Sequence, residues 1–405
     1  MAEQELNRDE ISPMPPSVQN GSAELLAWLK RMRQDQPVYR DPVGIYHVFR
    51  YKDVQQVTLD PQTFSSDSAT VIPGVPAELT SGMLSVTDPP AHAKLRKIAG
   101  QAFSPKRIKD LEPRVVEITE QLLADLPAAE FDFVDLFSHP QPALVIAELL
   151  GIPREDVPKF RAWDEKLLAT QVPDRNNEAE MAAAAEVAMG GGAFGELKAY
   201  MLELCGKRRA QAEDDFISAL VHAEVDGERL GDNEAANLCI QLLLAGHVST
   251  TAVLGHLLLA LDGNPEVAAE LRADRELIPA AIEELLRHQP PAPKFARFTT
   301  VDTEVAGVAI PAKSVVMVWV LSANHDEQVF TEPDSFDIHR TPNKHVAFGH
   351  GIHFCFGSAL ARIEIRTALE MLFDKFDDIR VAPEAQIEYY ESEMFAVKRI
   401  PLLAS

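Results

Sequence analysis

Cysteine is scarce in this 405-residue chain: only Cys205, Cys239 and Cys355 occur. They are odd in number and far apart, so neither a disulfide framework nor a zinc-ligand pattern is legible. A reducing cytoplasm is therefore the expected compartment. Basic charge is also short, with 38 Lys and Arg against 62 Asp and Glu and a formal net charge of −24. That balance argues against nucleic acid or anionic lipid as the main partner and for good solubility. The N-terminus is polar and proline-containing and lacks the apolar core of a signal peptide or anchor, so residues 1–20 are expected to be a flexible lead-in. An uninterrupted hydrophobic run is missing too. Leu238 to Leu261 is long enough to span a bilayer, but Gln241, His247, Ser249, Thr250, Thr251 and His256 interrupt it. A long helix through the centre of a soluble protein fits better. No internal repeat and no Gly/Ser-rich linker divides the rest, so residues 21–405 are expected to form one domain.

What is present reads as an enzyme of ordinary composition, 46% apolar and 25% charged. Periodicity predicts helices over residues 23–33 and Tyr51–Leu59, with a short hairpin between them from Val38 to Phe49. Prolines and glycines make Pro73–Pro90 a loop. Further helical patterns run over Ala91–Leu126, Pro140–Leu150, Pro158–Leu168 and Glu178–Arg209, the last interrupted at Gly190–Gly192. Asp232 is expected to cap the long central helix, which stops at Gly263-Asn264-Pro265. Strand-like alternation appears at Thr300–Val308 and Ser314–Leu321. The expected class is mainly α with small β-sheets.

One ten-residue segment carries most of the chemistry: Phe348-Gly349-His350-Gly351-Ile352-His353-Phe354-Cys355-Phe356-Gly357. It sets a single cysteine in a glycine-rich turn with a helical stretch, Ser358 to Phe373, directly behind it. A free thiol is mostly protonated at neutral pH, and a helix N-terminus or a metal is what holds the thiolate. Gly349, Gly351 and Gly357 are expected to allow positive φ and close approach to a large ligand. The pattern Phe-Gly-x-Gly-x-His-x-Cys-x-Gly resembles the haem-thiolate loop of the cytochrome P450 family. The resemblance extends over nearly the whole chain and implies that family's fold, with the long central helix over a haem b. It makes Cys355 the expected axial ligand, with Phe348 shielding the sulfur. Cys205 and Cys239 read as ordinary structural cysteines.

The same resemblance assigns further residues. Glu284 and Arg287 match the family's Glu-x-x-Arg, a structural pair, and Arg340 stands as a third member in the meander that begins near Glu332. His92, Arg96, Arg297 and His345 match positions expected to bind the haem carboxylates, which need charge-assisted partners. On the central helix, Ala245-Gly246-His247-Val248-Ser249-Thr250-Thr251 resembles the oxygen-binding motif, with Ala245 and Gly246 leaving room for O₂. The chain departs from that motif where Val248 replaces the usual carboxylate and Ser249 the usual threonine. Ser249 with ordered water is therefore expected to relay protons, assisted by Thr250, His247 or a substrate hydroxyl. The competing expectation is that these hydroxyls merely bond to helix carbonyls four residues earlier. By position, Met83, Leu84, Leu244, Val248, Phe295, Met394 and Phe395 are expected to line an apolar substrate pocket.

The segment from Leu25 to Asp67 looks like bacterial soluble members that act on macrolides and other polyketides. The resemblance implies a monooxygenase using O₂ and electrons from NAD(P)H through a ferredoxin reductase and a ferredoxin, with a small lipophilic substrate. Neither nucleic acid nor membrane is expected as a partner. Lys94, Arg96, Lys97, Arg362 and Arg366 are expected to form a local basic dock for the ferredoxin. The alternatives are a peroxide-driven or non-oxygenating haem-thiolate enzyme, and a haem-binding sensor without turnover.

Overall fold

The computed structural model describes residues 12–18, 21–70, 77–168, 191–390 and 394–405. Helices dominate, and they are organised by the helix Asp232–Gly263, whose 32 residues span about 48 Å. Its first half carries Leu238, Cys239, Ile240 and Leu243 into one apolar core, which it shares with helices Pro140–Leu150, Gly192–Ala210 and Phe216–His222. Its second half sends Leu254, Leu257, Leu258 and Leu261 into another core, built with helices Ile278–His288 and Ser358–Lys375. An all-round apolar helix is stable only when it is surrounded in this way. Of the polar interruptions read in the sequence, His247, Ser249, Thr250 and Thr251 lie between the two cores, while Gln241 and His256 fall within them.

The helix does not start as expected. Gly231 is the N-cap, and its N–H donates to the Glu234 carboxylate at 2.9 Å. Asp232 instead pairs with Arg209 at 2.7 Å. The expected helix over Ala91–Leu126 is two helices, Ala91–Ala102 and Pro105–Asp125. Ser104 ends the gap by capping Arg107 N–H, and Pro105 opens the next turn, a stop-and-start that Ser-Pro announces. The run Glu178–Arg209 is described only from Gly191 onward; helix Gly192–Ala210 begins at its glycines, and residues 178–190 lie outside the described residues.

A five-stranded sheet holds, in order, Val38–Arg40, Tyr46–Val48, Val315–Val318, Phe295–Thr299 and Phe64–Ser65. The strand expected over Thr300–Val308 is displaced, because Phe295–Thr299 forms the sheet strand while Thr303–Val305 and Val308–Ile310 form a separate hairpin. The strand expected over Ser314–Leu321 ends at Val318 and gives way to a helical turn, Val320–Ala323. A three-stranded sheet joins Glu130–Asp132, Pro401–Ala404 and Ile379–Val381. A cavity lies between the central helix, the strand Phe295–Thr299 and the loop before Ser358.

Candidate functional site

The loop Phe348–Gly357 wraps Cys355 tightly. Cys355 N–H donates to the Phe348 carbonyl at 2.7 Å and closes the turn. Gly349 and Gly351 stand at φ +74° and +72°, and a Cβ on Gly351 would meet the Thr58 carbonyl at 2.6 Å. Only glycine fits there. Gly357 differs from expectation: at φ −87° it caps helix Ser358–Lys375 in ordinary backbone. Burial pushes the Cys355 thiol up, while the Gly357 and Ser358 N–H groups, Arg362 and Arg96 pull it down. A helix N-terminus and two cations are thus aimed at one sulfur, an arrangement suited to a thiolate held by a metal.

Above the sulfur opens a cavity of about 850 Å³, within the range of small-molecule sites. Basic groups gather at one end of it. His92 is 2% exposed, and its Nε2 has no hydrogen-bond partner. Arg297 is 9% exposed, and burial lowers it to about 10. Among the described residues its guanidinium has one hydrogen bond, to the Ala296 carbonyl at 2.8 Å, and no ion-pair partner. Arg96 holds the loop through the Ile352 and Phe354 carbonyls at 3.0 and 2.8 Å and also lines the cavity. His353, whose ring lies 4.5 Å from that of His92, completes the group. Burial brings His353 down to about 4, with Arg297 and His92 adding to the effect. Buried Arg297, with no ion-pair partner among the described residues, and the orphaned His92 Nε2, with Asp88 the one carboxylate acting on both, suit an anion from outside the chain.

His345 does not join them. Its Nε2 donates to Glu283 at 3.0 Å outside the cavity wall, and His353 stands in the basic group where His345 was expected. The signal for His353 was already in the sequence, as the histidine of Gly-x-His-x-Cys.

The central helix supplies the opposite wall through Leu244, Ala245, Gly246, Val248, Ser249 and Thr250. A Cβ on Gly246 would stand 3.2 Å from Ile146, so the small pair reflects helix packing as well as space in the cavity. Ser249 O–H donates to the Ala245 carbonyl at 2.6 Å, and Thr251 O–H to the His247 carbonyl at 3.1 Å. The simple back-bonding geometry is therefore what Ser249 adopts. His247 is turned away from the cavity and meets the His139 carbonyl at 3.0 Å. It is not among the residues of the cavity wall. Sequence reasoning missed Glu364, a 3% exposed acid that lines the cavity with Oε2 unpartnered, and burial raises it well above the usual carboxylate range. An acid on the apolar stripe Leu360, Ile365, Ala368, Leu372 was the available signal.

Leu84, Leu244, Val248, Phe295 and Met394 line the cavity as expected by position. Two expected residues do not. Met83 is not part of the wall, which Leu84, Ser85 and Val86 form there. Phe395 is core, 1% exposed and packed on His256 and Tyr389 at 4.5 and 5.5 Å between ring centroids.

Behind the site, Glu284 and Arg287 form a fully buried bidentate pair at 2.8 Å. Arg287 also donates to the carbonyls of Asn324, Pro333 and Ser335, and Arg340 donates to both Glu284 oxygens at 3.1 Å. The segment leading to the cysteine loop is thereby tied to helix Ile278–His288. Near the loop, the five cations expected to form a dock are all engaged. Lys94 pairs with Glu228, Lys97 with Asp226, Arg362 with Glu283 and Arg366 with Glu112, while Arg96 binds loop carbonyls. They present no unopposed charge cluster.

The cytochrome P450 family model matches residues 38–403. This chain belongs to the cytochrome P450 family. Its sequence is 45% identical to the erythromycin C-12 hydroxylase of Saccharopolyspora erythraea over 386 residues, covering 94% of each chain. It is 41% identical to the cyclomarin C epoxidase of Salinispora arenicola, covering 92% of this chain and 94% of that one. The open structure of cytochrome P450 EryK from S. erythraea superposes with a TM-score of 0.89 at 42% identity over 98% of both chains. Membership makes the chain a monooxygenase with a haem b held through a cysteine thiolate. The residues present fit that group: one cysteine below the cavity, and an orphaned His92 Nε2 beside a buried Arg297 where two carboxylates would lie.

Proposed function

We propose that this P450 hydroxylates or epoxidises a lipophilic secondary metabolite of macrolide or polyketide type in the bacterial cytoplasm. Electrons would come from NAD(P)H through a ferredoxin reductase and a ferredoxin. The observation that carries the reading is the cavity of about 850 Å³, apolar along most of its wall and bounded by Cys355 and a cationic end. The names of the hydroxylase and epoxidase relatives support the substrate class.

In this reading Cys355 would hold the haem iron, and the Gly357 and Ser358 N–H groups favour the thiolate against the burial that opposes it. His92, Arg96, Arg297 and His353 would hold the haem carboxylates, a task for which arginine's fork of donors suits better than lysine. Glu284, Arg287 and Arg340 fix the loop from behind. The haem bound there supplies the activation of O₂ that lets one oxygen atom enter an unreactive C–H bond. The chain's own residues do the rest. Leu84, Leu244, Val248, Phe295 and Met394 orient the substrate by apolar contact and exclude water, and Ala245 with Gly246 leaves room beside the wall. Glu364 Oε2 stands unpartnered on the cavity wall, and burial favours the protonated form of its carboxyl. Thr250 and Ser249 hydroxyls stand on the central-helix wall as hydrogen-bond partners for water. This division replaces the single acid that Val248 has removed from the central helix.

A carbon monoxide difference spectrum tests the ligand, and a spin-shift titration with a macrolide panel tests the substrate class. NADPH-driven turnover with a ferredoxin and its reductase should give oxygenated product. Product formed only with peroxide, or no turnover with any electron donor, would overturn the reading.

A further inference from the structure

Glu283 and Glu284 are adjacent on one helix, so their side chains leave it about 100° apart. Glu284 enters the buried arginine network, whereas Glu283 reaches the cysteine loop. Glu283 Oε1 accepts Arg362 Nε–H at 2.6 Å, and Oε2 accepts both Arg362 Nη2–H at 2.8 Å and His345 Nε2–H at 3.0 Å. The Ala347 N–H donates to His345 Nδ1 at 3.2 Å, which places the imidazole proton on Nε2 and directs it at Glu283. The third guanidinium nitrogen of Arg362 donates to the Ser358 carbonyl at 3.3 Å. Held in this way, the guanidinium lies 4.4 Å above the ring of Phe348. Phe348 is the residue whose carbonyl accepts the Cys355 N–H.

A pair as open to solvent as this one, with side chains 31% and 38% exposed, ordinarily adds little to stability. Its geometry is more specific than that role requires. Two carboxylate oxygens, one helix carbonyl and one aromatic face fix a single guanidinium, and the positive end of the pair is the end beside the sulfur. Burial raises Glu283, but the hydrogen bonds from Arg362 and His345 outweigh it and bring the carboxyl down to about 2, so the grip is fully charged at neutral pH.

We propose that Glu283 is a positioning residue for the thiolate: it holds Arg362 on Phe348, and the fixed cation draws negative charge onto the Cys355 sulfur and away from the iron. The inference rests on Cys355 as the residue that would hold the haem iron. A fixed positive charge beside the ligand favours the reduced state, which carries one more electron. Arg362 therefore acts at the sulfur and Glu283 acts through Arg362. His345 finds its place here as the second support of Glu283.

The test uses substrate-free holoenzyme poised at a fixed solution potential, with the ferrous-to-ferric ratio read spectroscopically. Arg362→Met should lower that ratio roughly tenfold. Glu283→Gln, which cannot accept two parallel N–H bonds, should lower it in the same direction, and Glu283→Asp should recover part of the loss. The double variant should fall no further than Arg362→Met alone, since one residue acts through the other. A normal ratio in Glu283→Gln beside a reduced one in Arg362→Met would overturn the positioning role. Normal ratios in both would overturn it too and leave the pair as a stability contact only. Failure of the underlying ligand assignment is separately visible: the ferrous carbon monoxide complex of the unsubstituted protein would lack the thiolate Soret band.

Discussion

Glu284→Gln should be among the most destabilising single changes in this protein, and the structure gives the scale. The Glu284 carboxylate is fully buried, and it accepts two N–H bonds from Arg287, one shared N–H from Arg340, the Asn343 amide and the Asp337 backbone N–H. Glutamine keeps the volume but removes the charge that balances two guanidinium groups. Its amide nitrogen would also face donors, whichever way it is turned. Removing one partner of a buried ion pair costs about 3–5 kcal/mol. Leaving donors such as the Asn343 amide and the Asp337 N–H unmatched moves the expectation to the upper half, about 4–5 kcal/mol. Set against total stabilities of about 5–15 kcal/mol, that is enough to unfold a sizeable fraction of molecules at 37 °C. Urea titration followed by far-UV circular dichroism measures the loss directly. Haem retention should fall in parallel, because residues 331–343 hang from this network and lead into the cysteine loop. A stability change below about 1 kcal/mol would refute the reasoning, since it would mean the carboxylate is not the group that balances Arg287 and Arg340.

Glu364→Gln should leave substrate binding by spin shift intact but lower the fraction of NADPH electrons recovered as product, by about tenfold or more if Glu364 is the proton-holding group of the cavity; in the same assay Ser249→Ala should cost only a few-fold, because the Ser249 hydroxyl is already engaged by the Ala245 carbonyl. An infrared carbonyl band from a protonated carboxylic acid, absent in Glu364→Gln, checks the neutral state at rest. Arg297→Met should speed haem loss to an apo-globin acceptor, and unchanged loss would remove Arg297 from carboxylate binding. Stability should also fall with pH below about 6.5. Burial, with His247 and Arg161 adding to it, holds His139 down to about 3, and burial first among several causes holds His325 to about 3 and His256 to about 4. The unfolded chain takes up these protons near 6.5 while the folded one does not until near 3 or 4, so unfolding gains on the order of 1 kcal/mol per pH unit for each histidine. Urea midpoints at pH 7, 6 and 5 should show the decline.

Much of this molecule is legible along the chain. The cysteine loop, the Glu-x-x-Arg pair and the central helix are local patterns, because each depends on spacing within one turn or one helix. Ser104-Pro105 announces the break that the longer periodicity concealed. The cap of the central helix was misplaced for a local reason as well: Glu234 at the third helical position reaches back to Gly231, leaving Asp232 free for Arg209. The residues that sequence reasoning misassigned are those whose role depends on which face meets which element. His345 and His353 both lie in the loop region, and only the folded loop turns one toward Glu283 and the other toward His92. Met394 and Phe395 are neighbours in the chain, yet one lines the cavity and the other packs on His256.

The sequence by itself determined the family, the cofactor and the residue expected to hold it, because a thiolate in a glycine turn at a helix N-terminus is specified by contiguous residues. Only the tertiary structure decided the surroundings of that thiolate. It brought His92, Arg297 and His353 from three separate segments to one end of the cavity, and it turned an unpartnered Glu364 into the same space. It also joined Glu283 to His345 and to Arg362, the cation that acts on the sulfur. Charges and orphaned donors acquire their chemistry from burial and from what faces them, and neither is a property of the chain until it is folded.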